Sequence, residues 1–530
     1  MARSSSVRRP ASAPVGPLGW LRRLTLHDRL ALVVALVALA LRLWPLGGAA
    51  TDYDEGVYWQ SLRALAAGHP LFREVFSSQP PLFLLGLYPF YLVLGQSLVA
   101  ARLAVVLYSL AGLAAIYFAA RAIAGRWAGL AACTLLAVDP LYLRVSHTLQ
   151  AEAPALAFQL ACVALAAEAA RRPARSDRRR RWLAAASGAA LGLGIMVKLF
   201  DVVALLPALL YLATPLYAAF AGRDGNIRRP ERDALLARAR LILPDVGLFL
   251  AGMLAALLVV LLPFIGSWGA LYDQVVRFHL AAASAADRGL DYNVGLLLHT
   301  GEVYPLLFAA VIAGVIAIRS RSWIVVPSGL WFLASLALLL RQQPLFDHHI
   351  ALLMPPLALM AGASASLALA QRYRGGVSAR PHSYISVRST VQVALIVVLT
   401  MLLVSASDDL AAAQPISGDQ RLLSTALERL TVPGDVVVSD DQYVAGLADR
   451  DVVPQLVDTS EVRIATGELT TRQIEAIITQ SDARVVLFAS GRFDRLPGFR
   501  AWVRANFTEV GTFGGGRALY MKQPSAPVPV

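Results

Sequence analysis

Apolar runs long enough to cross a bilayer recur from residue 30 to residue 407, and few folds can accommodate that pattern. An apolar run of roughly 18 residues or more reads as a membrane helix. Eleven candidate spans lie at 30–46, 99–122, 127–145, 151–170, 182–197, 202–221, 241–265, 303–318, 323–340, 349–370 and 391–407. Of the 530 residues, 57% are hydrophobic, far above a soluble protein's balance. The expected class is an all-α polytopic membrane domain of about 11 crossings. A further apolar segment, 81–95, is short and interrupted by Pro89, which suits a re-entrant or interfacial piece.

The net charge is +13, but the basic residues cluster in short segments between spans, so they read as topology signals and no nucleic-acid partner is expected. Residues 1–29 read as a basic, disordered cytoplasmic tail. The first span begins too far from Met1 for a cleaved signal, so it is expected to stay as an anchor. If 81–95 does not cross, then Arg121 with Arg126, the 171–181 cluster, 223–240, Arg319 with Arg321, and 372–388 all fall on the tail's side. If it does cross, those arginines face outward while the tail stays inside. The first arrangement obeys the positive-inside rule. It makes the protein a multi-pass cell-membrane protein with a cytoplasmic N-terminus.

That arrangement puts a first outer loop at 48–80, residues 198–201, a long outer loop at 266–302, and the turn 341–348 outside. Everything from 408 to 530 is outside too. This last stretch is expected to be an extracytoplasmic soluble α/β domain: strand-like runs at 436–438 and 485–488, helical stretches at 418–430 and 470–480, Pro-Gly punctuation at 433–434 and 497–498, and a frayed end at 524–530. The membrane domain accordingly covers 30–407. Cys133 and Cys162 lie inside apolar segments and imply neither a disulfide framework nor a thiol metal site. No internal repeat, P-loop, GxGxxG, HExxH or GxSxG occurs; Gly514-Gly515-Gly516 reads as a hairpin turn.

Carboxylates at a membrane boundary are costly and therefore candidates for function. Asp54 and Glu55, in Thr51-Asp52-Tyr53-Asp54-Glu55-Gly56-Val57-Tyr58, follow the first span. They could cap a short helix, as could Asp52, or one could act as a general base. Glu152, in Ser146-His147-Thr148-Leu149-Gln150-Ala151-Glu152, opens a span on the same side, where capping is again the ordinary role. Gln79 precedes Pro80-Pro81-Leu82, a helix start that makes it a polar boundary residue. Lys198, beside Phe200 and Asp201, either snorkels or binds phosphate facing the acids. Arg341, with Asp347, His348 and His349, either anchors an interface or meets a phosphate leaving group. Arg144 and His147 flank the approach to Glu152. In the soluble tail, Asp440, Asp441 and Tyr443 could line a groove.

An acidic pair after the first span, a Pro-Pro-Leu segment and a Ser-x-x-x-x-x-acid stretch occur in that order. This chain resembles the GT-C membrane glycosyltransferases in that respect, the protein O-mannosyltransferases and the lipid A aminoarabinose transferase above all. The matching pieces are Asp54 to Tyr58, Gln79 to Leu82 and Ser146 to Glu152, within a resemblance that covers 30–201 and loosens around Pro355-Pro356. It implies a helical membrane domain whose first outer loop carries short surface helices. It also implies a polyprenyl-phosphate-linked sugar as donor, an acceptor hydroxyl on a glycan, lipid or protein, and inversion at the anomeric carbon. Asp54 would be the family's base, with Glu55 beside it, and Glu152 the second catalytic acid. Two departures stand out: Glu152 replaces the more usual Asp, and Gln79 replaces a more usual Lys or His, leaving one charge fewer beside the donor phosphate.

The expected mechanism has Asp54 take the acceptor's proton while Lys198, Arg341 and His348 or His349 stabilise the leaving phosphate. Asp54 with Glu152 could also hold a divalent metal, Mg or Mn, through oxygen ligands. The competing readings are a transporter or flippase of lipid-linked sugars and a non-catalytic envelope scaffold.

Overall fold

The computed structural model describes residues 25–50, 52–173, 177–217, 232–374, 382–411 and 415–522. Most of the basic tail, the frayed end and the central parts of three Arg-rich connections (174–176, 218–231 and 375–381) lie outside the described residues. The tail's expected boundary at residue 29 moves. Thr25 caps the first helix, α1 (Leu26–Leu43), in a capping box with Asp28, so residues 25–29 belong to the helix start. Residues 232–240 likewise are helix, the opening turns of Arg232–Leu261.

Next come α2 (Tyr53–Ala66), α3 (Pro81–Val93), α4 (Leu98–Ala124), α5 (Arg126–Ala137), α6 (Pro140–His147), α7 (Glu152–Ala170) and α8 (Arg178–Val197). Asp52 caps α2 by accepting the Glu55 N–H, and Pro81 opens α3, where its missing N–H costs nothing. At 13 residues, α3 is about 20 Å long, short of a hydrocarbon core of about 30 Å. Each of the eleven apolar runs contains a helix. By length and composition, six helical segments among the described residues can cross a membrane, or seven if α5 and α6, bent by 65° at Val138-Asp139, make one span. The charged ends of α1 and α8 keep both outside that six. Leu199–Leu212 and Val326–Arg341 are apolar but short.

Small residues set the helix spacing. A β-carbon at Gly188 of α8 would overlap the Phe249 carbonyl oxygen, and one at Gly252 would overlap that of Ala185, so α8 and Arg232–Leu261 touch backbone to backbone. The same pair shares a buried ion pair, Arg180 to Asp245 at 2.6 Å. Such a pair tolerates burial because each charge has its partner and Arg180 also donates to the Ala169, Arg172 and Leu212 carbonyls.

Beyond residue 415 the chain forms a five-stranded mixed sheet in the order β2-β1-β3-β5-β4. Its strands are β1 (Val436–Ser439), β2 (Asp451–Val452), β3 (Val485–Phe488), β4 (Thr508–Phe513) and β5 (Arg517–Met521). The first three pair in parallel; β5 runs antiparallel to β3 and to β4. Gly515 and Gly516 turn the β4–β5 hairpin at φ 76° and 79°. Helices Gly418–Leu430 and Thr471–Gln480 accompany the sheet.

This C-terminal segment sits directly on α2. A β-carbon at Gly56 would lie 2.5 Å from the Tyr443 backbone nitrogen, and one at Gly446 would overlap the Trp59 ring. Gln60 donates to the Arg450 carbonyl at 3.0 Å and accepts the Val452 N–H at 3.3 Å. Arg63 pairs with Asp451 at 2.6 Å and Asp449 at 2.8 Å. Tyr53 takes the Thr459 N–H at 2.8 Å.

Candidate active site

Where α2, the start of α7 and the C-terminal segment converge, a cavity of about 980 Å³ opens. Its floor holds Asp52, Asp54, Gln150, Glu152, Lys198, His348 and His349. One side is apolar and comes from the 268–285 helices and the 338–346 turn, with Phe278, Ala282, Leu338 and Phe346. A polar part of the lining, with Asp458, Ser460, Glu461, Arg492 and Arg495, comes from the C-terminal segment, whose helix Glu461–Ala465 adjoins the helix Phe278–Ala285.

Asp54 lies in the first turn of α2 and faces this cavity. Among the described residues no cation forms an ion pair with it. Burial, helped by the Asp458 charge and opposed by Lys198, pushes its carboxyl up to about 7. Asp52 is also raised well above the usual carboxylate range, by burial first and by Asp54 and Glu55 next. It is more than a cap: its second oxygen meets the Gln150 amide and lies 3.6 Å from His348 Nδ1.

Glu152 differs from Asp54 in having its counter-ions at hand. It forms an ion pair with the Lys198 ammonium and lies 3.6 Å from His348 Nε2. Lys198 also lies 5.2 Å from the centroid of the Phe200 ring, a cation–π distance. An ammonium carries three N–H donors, so one carboxylate leaves capacity for a second anion. His349 packs against Phe200 and Phe346, with ring centroids 5.0 and 5.6 Å away. Gln79 lines the cavity and donates to the Tyr58 hydroxyl at 3.3 Å. Arg144 reaches the rim, but its Nη2 is engaged by Asp409 at 3.0 Å and Glu302 at 3.2 Å.

Four expected site residues stand away from the cavity. Glu55, one position beyond Asp54, is turned by the helix into the protein. It pairs with Arg102 through both oxygens (2.8 and 3.0 Å) and accepts the Leu149 N–H at 2.8 Å. It is a positioning residue, tying α2 to α4 and to the loop before Glu152. Asp201 is buried and takes the Gln159 amide at 3.2 Å. His147 does not line the cavity, and Arg341 is exposed at the end of its helix and away from it. Asp440 is also structural: it is fully buried, and its carboxylate accepts the Ala489, Ser490 and Phe493 N–H groups. Asp441 caps the helix Gln442–Leu447, and Tyr443 packs on Gly56, so neither lines the site.

Several cavity residues carried no functional signal in the sequence. Gln150 lies within the stretch from Ser146 to Glu152 and was the findable one. Arg288, in the long loop, stacks toward Tyr292 at 4.9 Å and Phe346 at 5.9 Å. Asp458, Ser460, Glu461, Arg492 and Arg495 look like ordinary polar surface residues until the chain is folded.

The oxygen-only metal site expected from Asp54 and Glu152 is not what the geometry groups. Among the described residues the metal-compatible cluster is Glu152, His348 and His349, with ligand atoms within 4.8 Å of one another. Two imidazoles and one carboxylate suit a zinc-like ion better than Mg or Mn. Lys198 already supplies a cation to Glu152 Oε1, the oxygen that lies 3.6 Å from His348 Nε2.

A family model for dolichyl-phosphate-mannose-protein mannosyltransferases matches residues 78–219. No curated protein matches the chain significantly. Among solved structures, ArnT from Cupriavidus metallidurans bound to undecaprenyl phosphate superposes with a TM-score of 0.60 at 17% identity, over 95% of this chain and 98% of that one. The oligosaccharyltransferase AglB from Archaeoglobus fulgidus, in complex with an inhibitory peptide and a dolichol-phosphate, superposes with a TM-score of 0.56 at 13% identity, over 96% of this chain and 75% of that one. At such identities the likeness speaks for the fold. Over 95% of its length the chain has the GT-C fold that these structures share.

Proposed function

We propose that this protein transfers a sugar from a polyprenyl-phosphate donor to an acceptor hydroxyl at the outer face of the membrane, with inversion, and that Asp54 is the general base. The observation that carries this reading is the contrast between the two acids. Asp54 faces the cavity and, among the described residues, no cation forms an ion pair with it, whereas Glu152 holds Lys198. A base needs an available lone pair and a pKa near working pH, and burial gives Asp54 about 7.

The donor's lipid would lie along the apolar side formed by Phe278, Ala282, Leu338 and Phe346. Its phosphate would meet Lys198, His348 and Arg288. As the acceptor oxygen attacks the anomeric carbon, its proton passes to the Asp54 carboxylate. The bond from that carbon to the phosphate oxygen breaks, and its electron pair stays on the phosphate. The departing phosphate gains a negative charge, so it needs cations rather than an acid. The Glu152–His348–His349 cluster could hold a metal ion, which would supply Lewis-acid charge for that same oxygen. Glu152, through its ion pair, keeps Lys198 in place. The transporter reading is not favoured: the sequence carries no internal repeat, and the acids stand at helix starts beneath a folded segment.

The test is to incubate purified protein with radiolabelled polyprenyl-phosphate sugars and follow label out of the lipid phase. Asp54→Asn should lower transfer by about a hundred- to ten-thousand-fold while leaving the protein folded. Undiminished turnover by that variant removes the assignment.

A further inference from the structure

We propose that the acceptor is a carbohydrate and that the C-terminal segment reads it, with Arg492, Asp458 and Ser460 forming an acceptor-sugar subsite beside Asp54. This rests on the glycosyltransferase reading above and names the substrate class of the same cavity. Small-molecule sites enclose about 300–1,000 Å³. At about 980 Å³ this one has room for a donor headgroup and a second ligand. Its two sides differ in chemistry. The apolar side suits a lipid-linked donor, which leaves the side built by Asp458, Ser460, Glu461, Arg492 and Arg495 for the acceptor.

That polar side carries two acids and two arginines, so it offers no net charge to select an anion or a cation. What it offers is a dense set of donors and acceptors, the requirement for a ligand whose hydroxyls both give and take hydrogen bonds. Arg492 is held over Tyr53, its guanidinium carbon 3.8 Å from the centroid of that ring. A cation–π contact engages the face of the guanidinium and leaves N–H groups to donate. Of its five N–H donors, the hydrogen bond to a described residue is a long one, 3.5 Å to the Asp440 carbonyl, and no described carboxylate forms an ion pair with it. Asp458 is buried, and one of its oxygens accepts the Ser460 N–H at 2.8 Å. No described group hydrogen-bonds its other oxygen. The Ser460 hydroxyl accepts the Arg463 N–H at 3.2 Å and keeps its own hydrogen to give. Arg492 lies over Tyr53, the residue before Asp54, and Asp458, Arg492 and Asp54 line one cavity, so a sugar held by the first two would bring a hydroxyl toward the third.

The experiment offers the full-length protein an undecaprenyl-phosphate-linked radiolabelled sugar and three acceptor probes. These are a panel of di- and trisaccharide methyl glycosides, a serine- and threonine-containing peptide, and a phosphatidylglycerol vesicle. Label should enter the oligosaccharide. Arg492→Gln and Ser460→Ala should each raise the KM for that oligosaccharide about tenfold, with the donor KM changed by less than about twofold. Label entering only peptide or phospholipid overturns the carbohydrate inference while leaving the transferase reading intact. A donor KM that rises as much as the acceptor KM in both variants assigns the subsite to the donor and overturns the inference. An unconsumed donor with every probe removes both readings.

Discussion

At the scale of single residues, neighbours in sequence have divided the labour. Asp54 and Glu55 are adjacent, yet α2 turns one into the cavity and the other into an ion pair with Arg102. On the proposed mechanism the protonation of Asp54 sets the pH profile. Its carboxyl is pushed up to about 7, and the protonated form cannot accept a proton, so kcat/KM should fall tenfold per unit as pH drops below about 7. Asp458 is the largest charge raising that value. Asp458→Asn removes a negative neighbour, makes ionisation of Asp54 easier, and should move the acid limb to lower pH; an unmoved limb in a pH–rate series contradicts it. Glu55→Gln tests the other role. It leaves Arg102 buried without its counter-charge, a loss of about 3–5 kcal/mol, read as a lowered unfolding temperature in detergent. The sequence motif singled out the acidic pair but could not divide it, because the deciding partner lies 47 positions away. Gln79, Lys198, His348 and His349 were legible for a simpler reason: a polar side chain at the end of an apolar run stands out against its neighbours and adds little to their packing.

At the scale of elements, α2 is the joint of the structure. One face carries Asp54 and the other is clamped by Gln60, Arg63 and Trp59 to the C-terminal segment. Gly446 allows that approach. Gly446→Val would drive a side chain into the Trp59 ring, at a cost of about 1–3 kcal/mol, and should lower both thermal stability and transfer. A differential scanning measurement beside the label-transfer assay checks this; a variant as stable and active as the parent shows the seam to be soft. The helices were readable from apolar runs, caps and prolines, and the strands at β1 and β3 from runs of valine. The docking was not. Trp59, Gly446 and Tyr443 look like ordinary members of separate helices, and nothing local records that they meet. The two-residue β2 was invisible for a related reason: a strand that short has no period to read.

At the scale of the whole molecule, the arginine-rich connections argue for one orientation, with the cavity on the outer side. A cysteine at exposed Thr479 provides the test, since Cys133 and Cys162 are buried. Thr479→Cys should react with a membrane-impermeant maleimide in intact cells; reaction only after lysis reverses the orientation and places the chemistry on the cytoplasmic side. The existence and order of the helices were legible because hydropathy is a bulk property of long segments. The number of crossings was less so, because α3, Leu199–Leu212 and Val326–Arg341 are too short for length alone to decide.

The close fit of Gly56 and Gly446 means that Asp54, the proposed base, is mounted on the same bracket that carries the distal sheet. Loosening that sheet, by heat, by a protease or by an antibody fragment wedged between Trp59 and the Gln442–Leu447 helix, would tilt the bracket and misaim the carboxylate. On the proposed function, such a fragment should lower label transfer from the water side without competing with either substrate.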